Sequence, residues 1–433
     1  MGIKAGIQNR VMKHLFSIKR REARRRKCER QRQATGKPHL VEYYHEVGDP
    51  YSHLMVQVLP ELCRRYGIEL QTHLVSPPPD WAAPDRVRLD DYARRDAALL
   101  AERANLDFSD FGEQPSGDAI ASANGALVSA VESGTFLQRA YEVGQCLWRG
   151  EQIEIVSADR AAAEETLKSS AEKRDRQGHY LGGTLFYAGE WYWGLDRLHF
   201  LEQRLKDLGV AVDASEAPIF EPPVAPAGAT PNRPEVRPVM HWYLSFRSPY
   251  TGIVANRVKA LAEAYGAELK LRFVLPMVMR GMQVPRMKGF YIMSDTIREA
   301  ERLGIPFGDI CDPVGRPVER GYAILSKAIG LGRGLEFAQS FLSGVWADGL
   351  DAGSDSGLKK ITERAGLDWA EMKPFLGGDH WRAKAEANQA EMFAHGIWGV
   401  PSFRVGEVAA WGQDRLWVIE DALKSLTESE QSK

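Results

Sequence analysis

The chain is 433 residues long, with 44% hydrophobic and 26% charged residues, proportions that exclude a mostly disordered or collagen-like chain. No stretch approaches the ~18 uninterrupted apolar residues of a membrane span, and at roughly 150 residues per domain the length suggests two or three domains. The formal net charge of −2 conceals an asymmetry: residues 1–37 hold thirteen Lys or Arg against Glu22 and Glu29, a local +11, while the rest of the chain carries −13.

The basic arm, 1–37, comes first. Ile3, Ile7, Val11 and Leu15 recur every four residues beside Met12 and Phe16, which predicts one apolar face of a helix. The run 19–32 is almost purely basic, and no apolar core of signal-peptide type follows the first charges. Three readings are open: a helix docked on its own body, a basic amphipathic helix in peripheral contact with an anionic membrane surface, or phosphate contacts with nucleic acid. Phe16 is the arm's only aromatic residue, so nothing supports base stacking, and no specific nucleic-acid partner is expected. The four cysteines, at 28, 63, 146 and 311, have no CxxC spacing, so neither a zinc ribbon nor a dithiol motif is available. Their scarcity fits a reducing compartment. A cytoplasmic location is expected, at most peripheral to a membrane, and no metal site.

Two segments then begin alike. Residues 41–60 read VEYYHEVGDPYSHLMVQVLP and residues 239–260 read VMHWYLSFRSPYTGIVANRVKA. Each is a short apolar strand, a turn containing Pro-Tyr-Ser/Thr, and a helical pattern, and a second strand follows at 68–75 and at 269–275. Strand, helix, strand at this spacing predicts a βαβ unit with a parallel pair. The ends match as well: GGTLF at 182–186 and GVPSF at 399–403 each lead into a hairpin closing at Trp193-Gly194-Leu195-Asp196-Arg197 and Trp411-Gly412-Gln413-Asp414-Arg415, before a final helix. Between them, 89–178 and 290–395 carry helical periodicity. The fold class is therefore α/β, with a domain at 38–214 and a second at 239–428, each βαβ, a helical insertion, then ββα. The joining segment, 215–238, has seven prolines between 217 and 238, a composition that favours an extended spacer.

This order, with a Pro turn at the first helix and Val-Pro before the hairpin, resembles the thioredoxin fold, duplicated in tandem. The all-helical insertion resembles its DsbA-like branch. Ser248-Pro249-Tyr250 in place of Cys-Pro-x-Cys is similar to kappa-class glutathione transferases and 2-hydroxychromene-2-carboxylate isomerases. The segment 285–291, PRMKGFY, preceding Asp295 and Arg298, resembles a Pro-x-x-Lys-Gly segment of that family. Gly399-Val400-Pro401 resembles its cis-proline motif, and Gly412-Gln413-Asp414-Arg415 its Gly-x-Asp-Arg turn.

A helix N-terminus stabilises an anion through unpaired N–H groups and a partial positive charge. A cysteine there becomes an acidic nucleophile. A serine does not ionise near neutrality, but it can donate a hydrogen bond to a thiolate brought by a ligand. The resemblance implies glutathione as that thiol and Ser248 as the catalytic residue favouring its thiolate; capping is the ordinary role of such a serine. Cis Val400-Pro401 would expose backbone for a peptide-like ligand to pair with. Asp414 would hold the γ-glutamyl ammonium and Arg415 a carboxylate, though Asp414 and Asp196 also read as helix caps. Lys288 is a further candidate for a glutathione carboxylate and Tyr250 for the glutathione site. Tyr250, Met277, Phe290, Tyr291 and Trp411 could line an acceptor wall, but core packing is the commoner fate of such residues.

In the first copy Asp49 stands where Ser248 stands, and Thr184 is read as standing where Pro401 stands. A carboxylate repels a thiolate, and a non-proline cis bond costs ~2.5–4 kcal/mol, so Gly183-Thr184 is expected to be trans. The first copy then reads as a degenerate structural partner, and the two copies as an internal pseudo-dimer. Three functions follow: a glutathione-dependent transferase or isomerase acting on a small electrophile or unsaturated acid, a protein-disulfide oxidoreductase, or a non-catalytic binding or scaffold protein of the oxidoreductase family that lacks the CxxC. The second has no cysteine nucleophile at either turn.

Overall fold

The computed structural model describes residues 12–153, 157–226 and 237–431. The chain divides into two compact units, one comprising Met1–Arg21 with Pro223–Lys433, the other Glu22–Pro222. No described helix is long and apolar enough to cross a membrane.

In the Glu22–Pro222 unit, strands β1 (His39–His45), β2 (Ile68–Leu74), β3 (Thr184–Tyr187) and β4 (Glu190–Trp193) form one sheet ordered β2-β1-β3-β4. β1 is parallel to β2 and antiparallel to β3. The interior strand β1 is buried from Val41 onward, as a strand covered on both faces must be. The helix Pro50–Arg65 joins the parallel pair, and Arg86–Ala104, Gly117–Ser133, Phe136–Trp148 and Ser157–Gln177 intervene before the hairpin. One apolar cluster holds these elements, including Leu54, Leu59, Leu100, Leu127, Leu195 and Leu201.

The second unit repeats the plan. β5 (Val239–Leu244), β6 (Glu268–Phe273), β7 (Ser402–Val405) and β8 (Val408–Trp411) are ordered β6-β5-β7-β8, with β5 parallel to β6 and antiparallel to β7. The second strands end at Leu74 and Phe273, short of the expected 75 and 275. A larger number of helices, from Arg286–Arg302 to Arg382–Ala394, fills the insertion. Their core stacks Phe246 on Phe341 with ring centroids 4.0 Å apart.

Two expectations change in physical terms. Residues 1–11, with Ile3, Ile7 and Val11, and residues 227–236 of the proline-rich segment lie outside the described residues. The arm's described helix, Ile18–Thr35, buries no residue; Arg21 pairs with Glu301 at 2.6 Å within one unit and Arg25 with Glu190 at 2.7 Å within the other. Before it, Lys13 pairs with Asp309 at 2.8 Å and Phe16 meets Phe290 at 5.3 Å. The start of the proline-rich segment is not a spacer. Phe220 is buried in the first unit's apolar cluster, and the Ile219 N–H donates to the buried Glu202 carboxylate at 3.0 Å.

Gly321 makes the stacked core possible: a Cβ there would lie 2.5 Å from the Phe341 ring and 2.9 Å from Phe246. Gly321→Ala is therefore expected to destabilise this unit by about 1–3 kcal/mol through overpacking, read as a lower midpoint in denaturant unfolding; an unchanged midpoint would show that the rings yield freely.

Candidate functional site

β5 ends at Leu244, and a tight turn, closed by the Ser248 N–H on the Ser245 carbonyl at 3.0 Å, leads into the helix Pro249–Ala264. Ser248 is the cap, in extended backbone conformation (φ −88°, ψ 115°), and Pro249 takes the first helical position, where its missing N–H costs nothing. The Ser248 hydroxyl does two things. Its oxygen accepts from the Thr251 N–H at 3.2 Å, and it donates to the Val400 carbonyl at 3.2 Å. The Val400–Pro401 bond is cis, as the motif implied. The Pro401 carbonyl in turn accepts from the Gly412 N–H at 2.9 Å. A chain of three backbone-anchored contacts thus gathers Ser248, Val400, Pro401 and the 412–415 turn at one end of the sheet.

Residues 239–424 match the model of the DsbA-like thioredoxin domain. That stretch is a DsbA-like thioredoxin domain. Relatives of the DsbA-like domain include the 2-hydroxychromene-2-carboxylate isomerase of Pseudomonas putida, 21% identical over 196 residues, which make up 43% of this chain and 95% of that protein. The isomerase of Pseudomonas sp. strain C18 is 22% identical over 193 residues, 43% of this chain and 90% of its own. Among solved structures, a 2-hydroxychromene-2-carboxylate isomerase is 21% identical, covering 45% of this chain and 98% of its own, with a TM-score of 0.40. The cytosolic disulfide reductase DsbM from Pseudomonas aeruginosa is 18% identical, covering 45% and 98%, with a TM-score of 0.35.

Other expected site residues of the DsbA-like domain sit differently. The Tyr250 hydroxyl donates to Asp295 at 2.8 Å, and Asp295, 1% exposed, pairs with Arg298 at 3.0 Å. The other unit makes the same bond, Tyr51 to Asp96 at 2.8 Å, across the same 45 residues of chain. Tyr250 and Tyr51 thus each tie two helices together within their own unit. Lys288 is buried rather than solvated, and burial pushes its ammonium down to about 8. Arg415 is buried, with its guanidinium 3.7 Å from Asp414. Tyr291 is buried and Phe290 half exposed. Trp411 packs over Gly399, where a Cβ would meet the indole at 2.4 Å, and faces Trp398 at 6.0 Å. Nothing in the sequence marks Trp398, Arg257 or Glu299, and Gln413 figures there only as the variable residue of the Gly-x-Asp-Arg turn.

The Glu22–Pro222 unit corrects one alignment. Tyr44 pairs with Thr184 where Tyr243 pairs with Ser402. Thr184 Oγ1 donates to the Leu181 carbonyl as Ser402 Oγ does to Gly399, and the Gly194 N–H binds the Gly183 carbonyl as Gly412 binds Pro401. Gly183, not Thr184, therefore occupies the place of Pro401. Its φ is +60°, a conformation closed to proline, and the Gly183–Thr184 bond is trans as expected. A Cβ on Gly183 would stand 3.0 Å from the Asp49 carboxylate. Asp49 caps its helix by accepting from the Ser52 N–H at 2.9 Å, the Ser52 hydroxyl at 2.7 Å and the Tyr51 N–H at 3.2 Å. The Asp196 cap reading fails in this unit: Gly194 is the cap residue, and Asp196 lies inside the first turn, where the helix dipole favours it.

Burial dominates the electrostatics here. It pushes the Asp49 carboxyl up to about 6 against the hydrogen bonds from Ser52 and Tyr51, and Glu46 well above the carboxylate range, with Asp49 adding to the effect. It pushes His45 down to about 3 and His53 down to about 4. A carboxyl whose folded pKa is raised destabilises progressively as pH rises from its unfolded toward its folded value. Asp49→Asn keeps a capping oxygen and removes the charge. In urea unfolding, the variant is expected to match wild type near pH ~4 and to exceed it by about 2–3 kcal/mol above pH ~6; a gap independent of pH would exclude the buried charge. Tyr250→Phe and Tyr51→Phe each leave a buried carboxylate short of one donor, and each should lower stability by about 1–3 kcal/mol. No loss in either variant would show that these ties are idle.

Proposed function

We propose that the DsbA-like domain binds a glutathione-type thiol and uses it as the nucleophile of an isomerase or transferase acting on a small electrophile or unsaturated acid. The observation that carries this reading is the Ser248 hydroxyl, tied to the helix N-terminus through Thr251 and to the carbonyl beside Pro401. Its acceptor role and its donor role are separable. An incoming sulfur can accept the hydrogen bond that the hydroxyl gives the Val400 carbonyl while the cap to Thr251 stays intact. The sulfur then gains a hydrogen bond and the partial positive charge of the helix end, both of which favour thiolate over thiol. The Val400 carbonyl, released, accepts from the backbone of a peptide-like ligand.

The thiol loses its proton to solvent. In isomerisation, the thiolate adds to one carbon of a conjugated double bond and the electron pair moves into the conjugated carbonyl. The former double bond rotates, and the pair returns to expel the thiolate unchanged. In transfer, the new C–S bond persists and a leaving group departs with the pair. Neither route requires an oxidant. Similarity to the two isomerases supports the first route. Dithiol exchange is disfavoured because all four cysteines are free and none stands at the Ser248 turn.

Calorimetric titration of glutathione into the full chain tests the reading. Wild type is expected to bind, and Ser248→Ala to bind roughly tenfold or more weakly, in line with loss of a hydrogen bond to a charged group. The thiolate absorbance of bound glutathione should titrate at higher pH in the variant, and turnover of a generic electrophile should fall with it. Absence of binding by wild type defeats the proposal; binding without turnover leaves a binding or scaffold role.

A further inference from the structure

The two sheets share order and register, so places in one unit have counterparts in the other. Trp193 and Trp411 pair with Thr184 and Ser402 respectively, which makes Leu195 the counterpart of Gln413. Val58 and Arg257 each lie nine residues beyond their helix caps, Asp49 and Ser248. Leu100 and Glu299 each lie four residues beyond the carboxylates, Asp96 and Asp295, that accept the tyrosine hydroxyls. In the Glu22–Pro222 unit these three places hold Val58, Leu100 and Leu195, all buried in one apolar cluster. In the DsbA-like domain they hold Arg257, Glu299 and Gln413, and the contact is polar. The Arg257 guanidinium donates to the Gln413 side-chain carbonyl. The Gln413 amide donates to Glu299 at 2.8 Å, and Arg302 pairs with Glu299 at 2.9 Å. Gln413 is 1% exposed and Glu299 fully buried.

The backbone differs at the same spot. In the apolar unit the closing helix begins at Leu195, immediately after Gly194. In the DsbA-like domain it begins at Leu416, the counterpart of Leu198, so residues 413–415 stay outside the helix. The Asp414 carboxylate then folds over Gly412, 2.5 Å from where a Cβ would stand, while nothing lies within 4 Å of that point on Gly194. Only glycine, at φ +122°, accommodates this arrangement.

An apolar triple builds the same architecture without desolvating charge, and buried ion pairs are commonly neutral or unfavourable against hydrophobic replacements. The polar triple is therefore not demanded by the fold. We propose that Arg257, Gln413 and Glu299 are positioning residues: by drawing the Gln413 side chain inward they unwind the first turn of the closing helix and set the Asp414 carboxylate beside Pro401, to hold the ammonium end of the ligand whose sulfur lies at Ser248. This rests on the thiol-binding reading above.

The test transplants the other unit's solution into the full chain as Arg257→Val, Glu299→Leu and Gln413→Leu together. The expected result has three parts. The unfolding midpoint is maintained or raised. Backbone NMR shifts of residues 413–415 become helical. Glutathione affinity falls at least tenfold, and adding Asp414→Ala to the triple costs nothing more, although the same change costs wild type at least tenfold. Glu299→Gln, which keeps an acceptor for Gln413, should bind like wild type. If the triple does not fold, Gln413→Leu alone carries the same two readouts of shift and affinity. A variant whose 413–415 shifts stay non-helical, or whose affinity equals wild type while Asp414→Ala still costs it tenfold, overturns the positioning role. Wild type that fails to bind glutathione defeats the thiol reading itself, whereas wild type that binds beside an unaffected triple defeats only this inference.

Discussion

The pairing of Tyr243 with Ser402 across β5 and β7 decides where the chemistry can be. Because the two strands are antiparallel, the residues just before Ser402 emerge beside the residues just after Leu244. That brings Val400 and Pro401 to the N-terminus of the helix Pro249–Ala264, and no loop has to reach there. Ser248 needs only its cap position to touch the Val400 carbonyl. A slip of one residue would turn Ser402 and its neighbours onto the opposite faces of the sheet and break the contact. The same pairing, continued to Trp411, delivers the 412–415 turn against the Pro401 carbonyl.

Much of this was legible because it depends on local backbone chemistry. A serine before a proline and an apolar helix announces a cap, and Ser248 is one, with Asp49 capping at the matching place; the closing helices depart from the same rule, beginning at Leu195 and Leu416 so that neither Asp196 nor Asp414 is the cap. Short apolar strands and helical periodicity mark both βαβ units, and the matching ends mark both hairpins. Two adjacent glycines, Gly182 and Gly183, make the place of Pro401 ambiguous in the sequence; only strand pairing distinguishes Gly183 from Thr184 as its counterpart. The Tyr250 role was hidden because its partner, Asp295, is 45 residues away. Arg257, Glu299 and Gln413 belong to three separate elements, so no window of sequence contains the contact. Comparing Gln413 with Leu195, both plainly visible in the aligned ends, was the one available signal.

The two units place their buried polarity in different locations. The Glu22–Pro222 unit makes its helix cap of an ionisable group, Asp49, and keeps buried Glu46, His45, His53 and Arg174 nearby, all five shifted toward their neutral forms. The DsbA-like domain keeps its cap to an uncharged hydroxyl and moves its charge beneath the closing turn. An uncharged cap leaves the helix end free to favour an anion, whereas a carboxylate cap already occupies it.

The contacts of the arm within the DsbA-like domain's own unit also have a consequence. Phe16 touches Phe290, and Arg21 touches Glu301. Both partners belong to the helix Arg286–Arg302, which carries the buried Lys288. The aromatic contact is indifferent to dissolved salt, while the ion pair, like that of Lys13 with Asp309, weakens as ions screen it. The segment that leads the chain therefore grips this helix by one contact that screening leaves alone and one that it weakens, and salt concentration becomes a dial on how firmly the helix bearing Lys288 is held from outside.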